Sequence, residues 1–294
     1  MTVKSDTLFF WCNGVPQDGP DHGLPLHHPA VLYGESAFET LRVIEGQPLY
    51  LSRHLNRLQH TVQGLGLAPT LDLPLMEEEL LSAAAALPDH PHGWRSRITL
   101  VSDRLSVNGI DGGAAPIQRW IMMVPLSPTE CPPLRVAVSA YEKIPPRSLP
   151  SSWKHGNYLS SLISLRQAQQ RGFDDALLLT SEGFVTEATS ANLFWVRDGE
   201  LKTCRDEWVF AGITRERVIQ HAENEQIPVH QGEFTLEDLN QAEEVFTTSS
   251  IRGVCPVTSV ESTRFRVDQK EGLTALLAHR LKDQDEAEVS RSCR

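Results

Sequence analysis

Lys154 lies in PSSWKHGNYLSSL (150–162), flanked by Trp153 and Tyr158 and just ahead of a predicted helix. A lysine partly desolvated by aromatic neighbours has a lowered amine proton affinity, which a Schiff-base lysine requires. Taken alone, it reads more commonly as a solvated loop lysine. Glu187 sits in GFVTEATSANLFW (183–195), between two apolar strand-like runs. A buried carboxylate there needs a cationic or hydrogen-bonding partner, and a protonated pyridine nitrogen would be one. The alternative is an exposed strand glutamate. Gly212-Ile213-Thr214 precede the helical pattern RERVIQHAENE. Thr214 can cap that helix, and a helix N-terminus presents N–H groups to a phosphate. Thr247-Thr248-Ser249-Ser250, at the end of the EEVF strand, offer hydroxyls to the same anion or form an ordinary polar turn. Arg53 opens a helix and could serve a phosphate as a bidentate donor, or be one more solvated charge.

These residues need elements to position them. LFFWCNG reads as a strand entering an Asn13-Gly14 turn, and AFETLRVIEGQPLYL as a hairpin about Glu45-Gly46. Leu55, Leu58, Val62 and Leu65 recur at helical spacing over 53–66, and 74–87 reads as a second helix opening on Pro74. RSRITLVS (95–102) and RWIMMV (119–124) read as strands. LSPTECPPL (126–134) carries three prolines and is the expected linker between an N-terminal domain, 1–125, and a C-terminal one, 135–294. Beyond it come the strand LRVAVSAY and a helix over 157–170. DALLLT, GFVTEAT, ANLFWV and GELKTC follow as short strands. ITRERVIQHAENE and TLEDLNQA read as helices, EEVFTTSS as a strand and EGLTALLAHRLKD as the final helix, with the last ten residues frayed. The whole is an α/β (α+β) protein in two parts.

The chain has 294 residues, 40% apolar and 22% charged, with a formal charge of −11. That balance argues against nucleic acid as a partner. No run approaches a membrane span, and the N-terminus does not read as a signal peptide. Cys12, Cys131, Cys204, Cys255 and Cys293 are scattered, which reads as reduced thiols in a cytoplasmic protein. His22, His27 and His28 lack zinc spacing and read as loop residues, so no metal is expected.

Each signal is weak alone, but their order resembles one family from about Asn13 to Val260. The signposts are YGESAFETLR (33–42), LSRHLNRL (51–58), WKHGNYL (153–159), GFDDALLLTSEGFVTEATSANLFWV (172–196), GITRERVI (212–219) and EEVFTTSSIRGVCPV (243–257). These resemble the class IV aminotransferases, the fold-type IV pyridoxal-phosphate enzymes, which include branched-chain and D-amino-acid aminotransferases and aminodeoxychorismate lyase. The resemblance implies pyridoxal 5′-phosphate held between two domains of a homodimer. Lys154 then matches the lysine bonded to the cofactor, and Glu187 the acid at the pyridine nitrogen. Arg53, Ile213, Thr214, Ser249 and Ser250 match the phosphate cup, and Tyr158 the tyrosine at the ring hydroxyl. Tyr33 matches a pocket tyrosine, in relatives often across the dimer interface. Such a cofactor supplies the electron sink, and the pocket chooses the bond that breaks.

Within the family, Phe38-Glu39-Thr40-Leu41-Arg42 is closer to the lyase form than to the F-E-G-I-R of branched-chain enzymes. Lys154 and Tyr158 are four apart rather than five, which again resembles the lyase and D-amino-acid branches. The implied activity is aminodeoxychorismate lyase, with an amino-acid aminotransferase as the alternative. Retention of Lys154, Glu187, Arg53, Thr214 and Ser250 argues against a non-catalytic binding protein. Arg97, with Arg95 on the same face of its strand, is the candidate for a substrate carboxylate; a structural ion pair is the alternative. VSDRLSVNG (101–109) departs from the T-R-G-type strand end of many relatives.

Overall fold

The computed structural model describes residues 7–18, 23–103, 115–127, 131–268 and 270–292. His22, Cys293, residues 104–109 of the departing strand end and residues 128–130 of the expected linker lie outside them. The chain forms two compact units. One comprises Met1–Thr129, Trp153–Tyr158 and Ala287–Arg294; the other comprises Glu130–Ser152 and Leu159–Glu286.

The first unit contains β1 (Phe9–Cys12), β2 (Val15–Gln17), α1 (Pro29–Leu32), β3 (Ala37–Ile44), β4 (Gln47–Pro48), α2 (Leu51–Gly64), α3 (Leu73–Ala85), β5 (Trp94–Ser102) and β6 (Ile117–Pro125). Its antiparallel sheet runs β2-β1-β6-β5-β3-β4. Both expected hairpins form: Asn13 and Gly14 take φ 49° and 77°, and Glu45 and Gly46 take 52° and 75°. Positive φ at both central residues matches the twist of the flanking strands. One face of the sheet carries Leu41, Val43, Ile98, Leu100, Ile121 and Met123 against Leu55, Leu58 and Val62 of α2 and Met76 and Leu80 of α3. The i, i+3, i+7 spacing on α2 builds this core.

The second unit contains β7 (Leu134–Val138), α4 (Leu159–Gln170), β8 (Asp175–Leu179), β9 (Val185–Ala188), β10 (Asn192–Arg197), β11 (Glu200–Cys204), α5 (Ile213–Asn224), β12 (Val229–Gly232), α6 (Leu236–Asn240), β13 (Glu244–Ser249), β14 (Gly253–Val260), β15 (Thr263–Arg264) and α7 (Leu273–Ser292, to Glu286 in this unit). The sheet runs β12-β11-β10-β13-β14-β7-β8-β9, with β15 beside β14. A further pairing, Asn192 with Glu187, returns β9 to β10 and closes six strands into a ring. β8 and β10 are buried on both faces, so they read as near-continuous apolar runs. Thr235 and Asp238 form a reciprocal capping box on α6.

Two expectations are corrected, on the final helix and on the cysteines, and three elements were not expected. The final helix continues to Ser292, because its polar tail keeps strong helix formers and no Gly or Pro. Short elements at Pro29–Leu32 and Val229–Gly232, and the strand Gly253–Val260, carry no periodic signal. Cys131 and Cys255 are joined in a disulfide rather than reduced, their Cα atoms 5.7 Å apart across a separation of 124 residues. Linear spacing cannot reveal a pair that β-pairing brings together. Cys12 and Cys204 are free thiols. Among the described residues, no helix is long and apolar enough to cross a membrane.

Candidate active site

In the first unit, Lys154 is anchored through its backbone. Residues 153–158 lie along the start of β3, where β4 does not reach: Gly156 N donates to Ser36 O at 2.8 Å, and Phe38 N to Lys154 O at 2.9 Å. Lys154 N donates to Thr61 Oγ1 at 3.1 Å, and that hydroxyl donates to Arg57 O at 3.2 Å. Trp153 packs directly on Gly64, where an added Cβ would fall 2.2 Å from the indole. The lysine is therefore held by β3 and α2 together, unlike an ordinary loop residue.

Phe38 is the hub of this half. The Lys154 amine lies 4.7 Å from its ring centroid and the Arg97 guanidinium carbon 3.7 Å. Tyr158 meets the same ring edge-on at 6.0 Å. Strand alternation explains the arrangement: Ser96, Ile98 and Leu100 point to the apolar core, which sends Arg95 and Arg97 to the opposite face. Burial, then the neighbouring Arg95 charge, lowers the proton affinity of Arg97, which a guanidinium tolerates while staying charged. Its Nε donates to Thr99 Oγ1 at 3.2 Å. Arg53 is half-buried in the first turn of α2, and Tyr33 is 59% exposed at the end of α1.

One feature of this half was missed by the sequence reading. Glu39 is wholly buried and accepts from Arg57 Nε and Nη2 and from His54 Nδ1, each at 2.7 Å. Burial alone would raise the Glu39 pKa, but Arg57 and His54 outweigh it and hold it at about 2. The pattern His54-x-x-Arg57 puts both donors on one helix face, and that was the available signal.

In the second unit, Glu187 is 6% exposed and both its oxygens are engaged. Oε1 is ion-paired with Lys143 Nζ. Oε2 accepts from Asn192 Nδ2 at 2.9 Å and from Phe210 N at 3.0 Å. Asn192 Nδ2 also donates to Phe210 O at 2.9 Å, and Asn192 faces Thr248 across the β10–β13 ladder. Gly212, the N-cap of α5, lies so close that a Cβ there would fall 2.2 Å from Asn192 Oδ1. The structure thus gathers Glu187, Asn192, Thr248 and the first turn of α5, with Ile213 and Thr214 buried, into one neighbourhood. The Thr248 hydroxyl is buried with no hydrogen-bond partner among the described residues. Ser249 Oγ accepts from Arg252 N at 3.2 Å within its own turn, and Ser250 follows half-buried. Burial and then the Glu187 charge push the nearby Cys204 thiol up to about 12, so it stays neutral.

Lys143 and Asn192 were not singled out from the sequence. Asn192 gave one usable sign, an amide directly before the apolar run Leu193–Val196. Lys143 gave none.

The model of the family described as amino-transferase class IV matches residues 36–260. The chain is 29% identical to a putative branched-chain-amino-acid aminotransferase of Methanocaldococcus jannaschii, over 93% of this chain and 95% of that protein. It is 26% identical to the aminodeoxychorismate lyase of Vibrio harveyi, over 88% of this chain and 94% of that one. Among solved structures, a putative 4-amino-4-deoxychorismate lyase from Legionella pneumophila superposes with a TM-score of 0.82. That match has 27% identity and covers 92% of this chain and 97% of that one. A family match spanning both units, on a fold-type IV architecture, makes this chain a member of the amino-transferase class IV family.

Proposed function

We propose that this chain is a pyridoxal-phosphate-dependent 4-amino-4-deoxychorismate lyase of folate biosynthesis, yielding p-aminobenzoate and pyruvate, and that it acts as a homodimer. The residues fit the cofactor. An anchored amine, a buried carboxylate, a helix N-terminus behind Gly212 and the partnerless Thr248 hydroxyl match its aldehyde, ring nitrogen and phosphate. Lys154 would hold the aldehyde, Glu187 would keep the ring nitrogen protonated, and Tyr158 would bond the ring hydroxyl. Arg53, Ile213, Thr214, Ser249 and Ser250 would hold the phosphate. Bound there, the cofactor supplies a sink for the electrons of the breaking C–H bond.

Lys154 would take the proton from C4 of the substrate as general base. The C–O bond to the enolpyruvyl group would then break, the departing enolpyruvate would take up a proton to become pyruvate, and the ring would become aromatic. Arg97 faces a substrate carboxylate and Tyr33 lines the pocket. Leu26, Val31, Leu32 and Tyr33, each exposed, support burial by a second protomer.

The observation that carries the reading is the Phe38 hub, whose one ring is met by both the Arg97 guanidinium and the Lys154 amine and so suits an anionic amine substrate. The F-E-T-L-R motif, the four-residue Lys154–Tyr158 spacing and the two lyase relatives favour the lyase. The Methanocaldococcus relative favours the second reading, a branched-chain or D-amino-acid aminotransferase. Incubation with aminodeoxychorismate and no keto acid decides between them. The lyase releases p-aminobenzoate and pyruvate, whereas turnover only in the presence of 2-oxoglutarate assigns the transaminase.

A further inference from the structure

Glu187 is the acid given above to the cofactor ring nitrogen, yet the structure already pairs it with a cation. Oε2 is occupied by two neutral donors, Asn192 Nδ2 and Phe210 N. Oε1, the remaining acceptor, is taken by the Lys143 ammonium. Lys143 is not placed there by a loose side chain. Its backbone N–H is bonded to Leu179 O at 2.8 Å, at the end of β8, the strand that carries β9 and Glu187. Its side chain is 17% exposed.

We propose that Lys143 is a positioning residue that shares the Glu187 carboxylate with the ring nitrogen and thereby sets how firmly that nitrogen keeps its proton. The proposal rests on the reading that Glu187 meets the ring nitrogen. A carboxylate oxygen has two lone pairs, so Oε1 can accept from Lys143 and from a ring N–H together. Two cationic donors on one carboxylate repel each other and divide one negative charge, so the ring N–H meets less than a full counter-charge.

The surrounding groups leave this balance to Lys143. Cys204 on β11 is a neutral thiol, and Asp175 on β8 is spent on Thr189 and Ala176 N. From α5, Arg215 turns to Cys204 O, Gln231 and Asp206, and Arg217 to Gln284, Leu281 O and Asp285. The residue therefore tunes the strength of the electron sink from outside the reacting atoms.

The test is the pH titration of the ring nitrogen, followed by NMR with ¹⁵N-labelled pyridoxal 5′-phosphate in the substrate-free holoenzyme. Lys143→Met should raise the pH at which the nitrogen loses its proton by about one unit or more, and Lys143→Arg should restore the wild-type value. If Lys143→Met loads poorly, Lys143→Gln makes the same comparison. An unchanged titration in the neutral variants, with only thermal stability altered, overturns the proposal and leaves Lys143 a structural counter-ion. Glu187→Gln separates the two ideas. It should lower the deprotonation pH whatever Lys143 does, and if it does not, the assignment of Glu187 to the ring nitrogen fails first.

Discussion

The side-chain amide of Asn192 bonds the Glu187 carboxylate at 2.9 Å, and the same two residues are the cross-strand pair that returns β9 to β10. One asparagine therefore serves the strand ring and the candidate acid together. Replacing Asn192 by Leu removes the donor to Glu187 and to Phe210 O and leaves buried acceptors short of partners. The expected loss is about 1–3 kcal/mol of folding free energy, read as a lower urea midpoint, with weaker cofactor retention on dialysis.

Thr248 should respond with opposite signs in two assays. Its hydroxyl is buried without a partner in the ligand-free chain, so Thr248→Val should leave the stability of the apoprotein unchanged or slightly raised. If the hydroxyl serves the phosphate, the same variant should weaken pyridoxal 5′-phosphate binding roughly tenfold or more, the worth of a hydrogen bond to a charged group. Equal affinity in the two proteins, by fluorescence titration, would remove Thr248 from the cup.

Acid should destabilise the first unit through Glu39 and His54. The Glu39 carboxyl titrates at about 2 when folded, against an ordinary 4.5, so its contribution is complete above 4.5 and is lost as pH falls towards 2. The shift corresponds to roughly 3 kcal/mol. Burial is the main cause that lowers the His54 pKa below 6.5, outweighing Glu39's opposing pull, so the unfolded chain gains that proton first as pH falls below 6.5. Both groups thus act in the same direction. Glu39→Gln should flatten the stability profile between pH 4.5 and 2, measured by urea unfolding at each pH. It should also cost about 3–5 kcal/mol at pH 7 by leaving Arg57 without its charge partner.

Borohydride treatment of the loaded protein should add the mass of a reduced phosphopyridoxyl group to the peptide containing Lys154. Lys154→Ala should lose that mass and about a thousandfold or more of kcat/KM while unfolding normally, since Phe38 and Thr61 bond the backbone of residue 154 rather than its amine. Label on another lysine would displace Lys154 from its role.

What the sequence revealed and what it hid follow from the range of the interactions. The Asn13-Gly14 and Glu45-Gly46 hairpins, the apolar stripe of α2 and the helix α6 are encoded within a few residues and were readable there. Lys154 and Glu187 stood out because motifs surround them. Lys143 lies 44 positions from Glu187, and Cys131 lies 124 from Cys255. Such pairs exist only once the strands have found their register, and no local pattern announces them. The docking of 153–158 onto β3 was hidden for the same reason, because it is made by two backbone hydrogen bonds that carry no side-chain signature.

That docking has a consequence for the chain as an object of synthesis and engineering. A fragment cut before residue 150 would carry every strand of the six-stranded sheet, yet Ser36 O and Phe38 N would lack their natural mates. During translation the nascent sheet must wait, with that edge unfinished, until more than twenty further residues have left the ribosome. Gene fusions, domain exchanges and permuted variants should therefore carry the hexapeptide along with the sheet it completes, however far apart the two lie in the coding sequence.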